Sequence, residues 1–162
     1  MIKKLFPCLF KKEELISPPN ADSVTILKDL KTEWSDLEIE VFEAINYERI
    51  WLGHQLKELF LEPYLCTIAR EHSRNMVISN KASHSDFPKR LLQAKTYCNS
   101  GFFGEVVAVG YNDANSVLKG FIYSEKHKEI LLNNKATHLG ISIETNYKGK
   151  RFFTILLSER KI

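Results

Sequence analysis

The sequence predicts an α+β domain: helices come first and a β-hairpin closes the chain. Three observations carry this. Apolar residues recur at helical spacing through residues 36–53 and 64–80. Near the other end, "HLGISIETN" (138–146) alternates apolar and polar residues, and "RFFTILLSE" (151–159) is a second strand-like run. Between them "NYKGK" supplies a glycine turn, so the two segments read as an antiparallel hairpin.

The first helix is expected from Ser35, an N-cap with Glu38 three residues on as its capping-box partner. Leu37, Val41, Ala44, Ile45 and Glu48 follow at helical spacing, and Gly53 ends the run. Asn46 and Arg49 are polar residues inside this helix, one turn apart. "LKELFLEP" is a short apolar lead to Pro63, which suits the first turn of a second helix. In that helix Leu65, Ile68, Ala69, His72 and Met76 share one stripe, so His72 reads as a hydrogen-bonded core residue. "DFPKRLLQAKTYCNSGFFG" gives a turn, a short helix after Pro88 and a glycine-punctuated loop. "GEVVAVGY" reads as a short extended piece. "DANSVLKGFIYSE" is a third helix, with Val117, Leu118, Phe121 and Ile122 as its apolar stripe.

A chain of 162 residues, 44% hydrophobic and 27% charged, is long enough to bury one sizeable core. Its 23 basic and 20 acidic residues are scattered and leave a net charge of +3, which argues against a nucleic-acid partner. No run approaches the ~18 apolar residues of a membrane span. Residues 1–33 read as a weakly ordered leader and 34–162 as the globular domain. The leader's apolar run "LFPCLF" is short for a secretory signal and is broken by Pro7. Cys8, Cys66 and Cys98 have no metal-type spacing and form no disulfide framework; a Cys66–Cys98 bridge stays open. "GFFGEV" is not a phosphate loop, and no nucleotide or organic cofactor is implied.

Four residues stand out as candidates for chemistry: His84 in the polar turn "KASHSDFPKRLLQ", Glu105, and Glu125 with His127 in "YSEKHKEILL". Imidazoles and carboxylates are the ligand types of a zinc or similar divalent site, and equally of a general acid–base cluster. Spacing alone leaves both open. His54 reads as a solvated surface residue, and alternation along its strand points His138 outward.

The order "NYER", "AREHSRNM", "SHSDFPKR", "GEV", "YSEKHKEIL" and "THLGISIE" resembles the CAP superfamily of cysteine-rich secretory, antigen 5 and pathogenesis-related class 1 proteins. The likeness covers about residues 38–158 and is to the compact bacterial, SCP-like type. It implies a three-layer α-β-α sandwich around a mostly antiparallel sheet. It also implies a cleft holding two histidines and two glutamates, here His84, Glu105, His127 and Glu125. Glu125 and His127 converge only if the chain turns at Ser124, acting as an N-cap. Val106 departs from the family asparagine after the glutamate, and Phe121 and Tyr123 stand where tryptophan is common.

The resemblance implies a monomeric, secreted or envelope-associated binding module whose cleft takes a divalent cation, zinc foremost. Its other partner at the cleft would be a small molecule, a lipid or a protein. Three alternatives stand beside this: a metal-dependent hydrolase on the same residues, an apolar-ligand binder, and a purely structural polar cluster.

Overall fold

The computed structural model of the protein describes residues 34–51 and 55–160. The expected leader, residues 1–33, lies outside the described residues, as do Gly53 and His54. Helix α1 spans Asp36–Trp51, β1 Phe60–Leu61, α2 Pro63–Ser79, α3 Phe87–Cys98 and β2 Ser100–Val109. Then come α4 (Ala114–Tyr123), α5 (Glu125–Leu131), β3 (His138–Thr145) and β4 (Arg151–Arg160). All of these belong to one compact unit beginning at Ser35.

The strands form one sheet in the order β1-β3-β4-β2. The expected hairpin is present: β3 pairs antiparallel with β4, with Ile141 opposite Ile155. β2 adds antiparallel to the far side of β4. β1 is a strand where the sequence suggested only a lead-in, and it runs parallel to β3, with Phe60 opposite His138. Asn46 explains its placement: its side chain accepts from the Leu59 N–H at 2.9 Å and donates to the Leu59 carbonyl at 3.0 Å. That clamp presents the next two residues to the edge of β3.

Helices cover both faces of the sheet. On one face Leu65, Ile68 and Ala69 of α2 meet Ala94 and Cys98 of α3 and Leu156 of β4. A second cluster, Met76, Val107 and Phe152, continues this layer toward the hairpin turn. Alternation turns Ile155 and Leu157 to the opposite face, where they are fully buried beneath the layer of α1, α4 and α5. Burial on both faces accounts for the nearly unbroken apolar run of β4.

The capping box forms as the sequence suggests: the Ser35 N–H reaches Glu38 at 2.7 Å and the Glu38 N–H reaches the Ser35 hydroxyl at 3.3 Å. Glu38 has a second task. Its other oxygen accepts the Ile143 N–H at 2.9 Å, closing part of the β3 edge that two-residue β1 leaves open. Cys66 and Cys98 are both buried, and no disulfide joins them.

α2 lies so close to β3 that a Cβ on Gly140 would sit 2.4 Å from the Leu65 main-chain carbon. Main chain cannot rotate away as a side chain can. Gly140→Ala should therefore cost about 3 kcal/mol and lower the melting temperature by roughly 10 °C. Thermal denaturation checks this; an unchanged midpoint would show that the two elements separate freely.

Candidate functional site

The loop between α2 and α3 carries His84, and both helices brace it. α2 ends at Asn80, whose left-handed backbone (φ 53°) turns the chain while its N–H bonds back to the Met76 and Val77 carbonyls. From within α2, buried His72 donates Nε2–H to the Ser83 carbonyl at 2.8 Å. From within α3, Arg90 donates Nη1–H to the Ser85 carbonyl at 2.6 Å. Residue 84 is thus fixed between two anchored neighbours. Asp86, also left-handed at φ 59°, redirects the chain into α3.

Glu105 lies on the α2–α3 face of β2 and is almost wholly buried. A buried carboxylate requires compensation, and Arg90 supplies it in bidentate form. Nε meets Oε2 at 2.5 Å and Nη2 meets Oε1 at 2.8 Å. Oε1 also lies 2.8 Å from His84 Nδ1. A carboxylate can only accept, so Nδ1 carries a proton, and in the neutral imidazole the lone pair is on Nε2. The His84 side chain is 54% exposed, so that lone pair is open to a ligand. His72 lies 3.9 Å from Glu105. Burial, and then the charge of Arg90, hold its pKa below the ordinary histidine value, so it is a neutral brace rather than an ion-pair partner.

His127 sits in the first turn of α5, its ring edge-on to Phe121 at 5.4 Å between centroids. Its pKa is pushed down, first by burial and then by the positive charge that His84 would carry. The chain does turn at Ser124, between α4 and α5, but the serine side chain makes no capping bond. The turn leaves Glu125 exposed, at a shallow surface hollow it shares with Lys126, Lys128, Glu129, Leu132, Asn133 and Asn134.

Of the four residues singled out, His84 and Glu105 are in direct contact, His127 packs against Phe121, and Glu125 is exposed on α5. Among the described residues no group of three or more His, Cys, Asp or Glu side chains is arranged to hold a metal ion. Arg90 is the participant that the sequence did not reveal. Asn46 and Arg49 stay out of the site and serve the scaffold. His138 is half-buried at the sheet's far end, beside Phe60 and 2.8 Å from the Thr137 hydroxyl.

Residues 42–157 match the CAP family, the cysteine-rich secretory protein family. An extracellular SCP-domain protein of Bacillus anthracis is 26% identical and superposes with a TM-score of 0.64 over 90% of this chain and 45% of that one. An outer surface protein of Borrelia burgdorferi shares the fold at 21% identity and a TM-score of 0.64, over 87% of this chain and 95% of that one. In Bacillus subtilis the uncharacterized membrane protein YlbC is 28% identical over 120 residues, 71% of this chain and 34% of its own length. The chain thus spans about a third of that curated relative. No helix among the described residues is long and apolar enough to cross a membrane.

Proposed function

The chain belongs to the CAP (cysteine-rich secretory protein) family, and from that premise we propose that it is a binding module, working outside the cell or at its envelope, whose cleft takes a divalent transition-metal cation. His84 Nε2 and the His127 imidazole are the donors. Glu105 stands behind His84 as the residue that fixes its tautomer and direction, not as a ligand. One observation carries the reading: the 2.8 Å contact between His84 Nδ1 and Glu105, which puts a proton on Nδ1 and makes Nε2 the donor atom of the neutral imidazole, on a side chain 54% exposed. The relatives described as extracellular or outer-surface proteins support the location.

Fit to a metal is partial, and the departure is informative. Arg90 already neutralises Glu105 and occupies both its oxygens, while Glu125 is exposed on α5. Two neutral imidazoles without a free carboxylate favour zinc, copper or nickel over magnesium or calcium. When bound, the cation would act as a Lewis acid toward whatever ligand completes its coordination. A hydrolase with Glu105 as general base is disfavoured, because proton abstraction would require that carboxylate to leave its ion pair with Arg90.

Zinc should raise the melting temperature of chelator-stripped protein by several degrees at concentrations near 100 times Kd, where mass action contributes about 2.7 kcal/mol. His84→Ala and His127→Ala should each abolish the increment, and His138→Ala should keep it. Binding requires both imidazoles to be neutral. Affinity should therefore fall as pH drops below ~6.5; burial holds the His127 pKa below the ordinary histidine value, so that imidazole stays neutral further into acid than a free one. No zinc-dependent shift at pH 7.5 would overturn the metal reading.

A further inference from the structure

The β3–β4 turn displays a strongly exposed aromatic ring flanked by exposed lysines. Its backbone is tightly built. Asn146 Oδ1 accepts the Lys148 N–H at 3.0 Å and the Lys150 N–H at 2.9 Å, and the Gly149 N–H returns to the Asn146 carbonyl at 2.9 Å. Gly149 holds φ +78°, which any other residue would adopt only with strain. On this rigid platform Tyr147 is 92% exposed, the most exposed of the large apolar or aromatic side chains described. Lys148 and Lys150 flank it, both exposed: Lys148 Nζ lies 5.5 Å from the Tyr147 ring centroid and Lys150 Nζ 5.6 Å from that of Phe152, and neither has a carboxylate partner among the described residues.

The end of α2 lies beside the turn. The Asn146 amide donates to Asn80 Oδ1 at 3.3 Å, bringing exposed Lys81 to the same end of the molecule, with Ile78, also strongly exposed, in the last turn of α2. The nearby acidic group, Glu144, is already paired with Arg74 at 3.3 Å. Arg151 is engaged with Asn112. Three lysines therefore remain as uncompensated positive charge around one projecting tyrosine.

We propose that this end of the domain docks on an anionic phospholipid surface. Charge complementarity points to the lipid headgroups, since each basic side chain near such a surface strengthens attachment about fivefold. The projecting ring selects a bilayer over a soluble polyanion, because tyrosine partitions to the headgroup level, its ring against acyl chains and its hydroxyl in water. The rigid turn means little ordering entropy is lost on docking. This surface is separate from the His84 cleft and does not depend on what that cleft binds.

The test is co-sedimentation of the full chain with vesicles of phosphatidylcholine alone or with about one-third phosphatidylglycerol. Binding should require the anionic lipid and weaken as salt is raised. Lys148→Glu together with Lys150→Glu should weaken it tenfold or more, and Tyr147→Ser several-fold, with melting temperatures unchanged. Failure of the parent protein to bind, or undiminished binding by the variants, would overturn the proposal. A loss in the lysine variant without any effect of Tyr147→Ser would also overturn it, by reducing the surface to a general polyanion contact.

Discussion

Replacing Arg49 by methionine should lower the melting temperature by about 10 °C or more. The side chain is fully buried, and its guanidinium serves four backbone carbonyls. Nε donates to Lys57 at 3.2 Å, Nη1 to Leu131 at 2.7 Å and to Asn133 at 3.1 Å, and Nη2 to Ala136 at 3.3 Å. Leu131 ends α5, so the cation also sits at the negative end of a helix. Burial lowers the arginine pKa, yet the carbonyl dipoles keep the charged form favourable. Methionine fills the volume but leaves those acceptors dry, and each unsatisfied buried group costs about 1–3 kcal/mol. A total near 3–5 kcal/mol is expected, less whatever water recovers. Because α5 carries His127, any zinc-dependent stabilisation should shrink in the same variant. A loss below about 1 kcal/mol would mean that the segment from Leu131 to Ala136 is held by other contacts.

The sequence made the terminal hairpin and the first two helices legible because each obeys one strong local rule. Ser35 and Glu38 form the expected capping box, and Gly149 closes the expected turn. β1 was not legible, since two residues carry no periodicity and its position depends on Asn46, far back in α1. β2 begins before "GEVVAVGY" because "SGFF" also pairs with β4, across an irregularity between Ser100 and Phe103. The long helix expected from Asp113 to Glu125 ends at Tyr123, a break that only the geometry at Ser124 reveals.

Within the candidate site, sequence order suggested His84, Glu105 and His127 through a family pattern. It did not reveal the charge balance between them. Arg90 looks like an ordinary surface cation in "PKRLLQ". A signal was nevertheless present: Arg90, Ala94 and Cys98 lie one turn apart and form the buried stripe of α3. An arginine on an apolar stripe demands a buried acceptor, and the acidic residue facing it is Glu105. Glu125 failed the other way. Its place beside His127 in sequence says nothing about direction, and in the first turn of α5 the two side chains diverge.

The charge balance can be tested directly. Arg90→Met leaves Glu105 buried with only the His84 and His72 imidazoles beside it, and breaking a buried ion pair from one side costs about 3–5 kcal/mol. Glu105→Gln strands the arginine instead and should be comparably destabilising. The double variant removes both charges, so its loss should fall short of the sum of the two single losses by at least about 2 kcal/mol. Zinc binding separates the structural role from the positioning role. Arg90→Met keeps the Glu105 acceptor and the His72 anchor of the loop but loses the Ser85 anchor, so the zinc increment should persist, reduced, on a less stable protein. In Glu105→Gln the imidazole loses the charged acceptor that fixes its tautomer, and metal affinity should fall about 10–100-fold. Glutamine can still accept a hydrogen bond through its carbonyl, so residual binding is expected there but not in His84→Ala. Additive losses in the double variant would mean that Arg90 and Glu105 act independently. The carboxylate would then be free to serve as a ligand, and the two-imidazole account of the cleft would have to be abandoned.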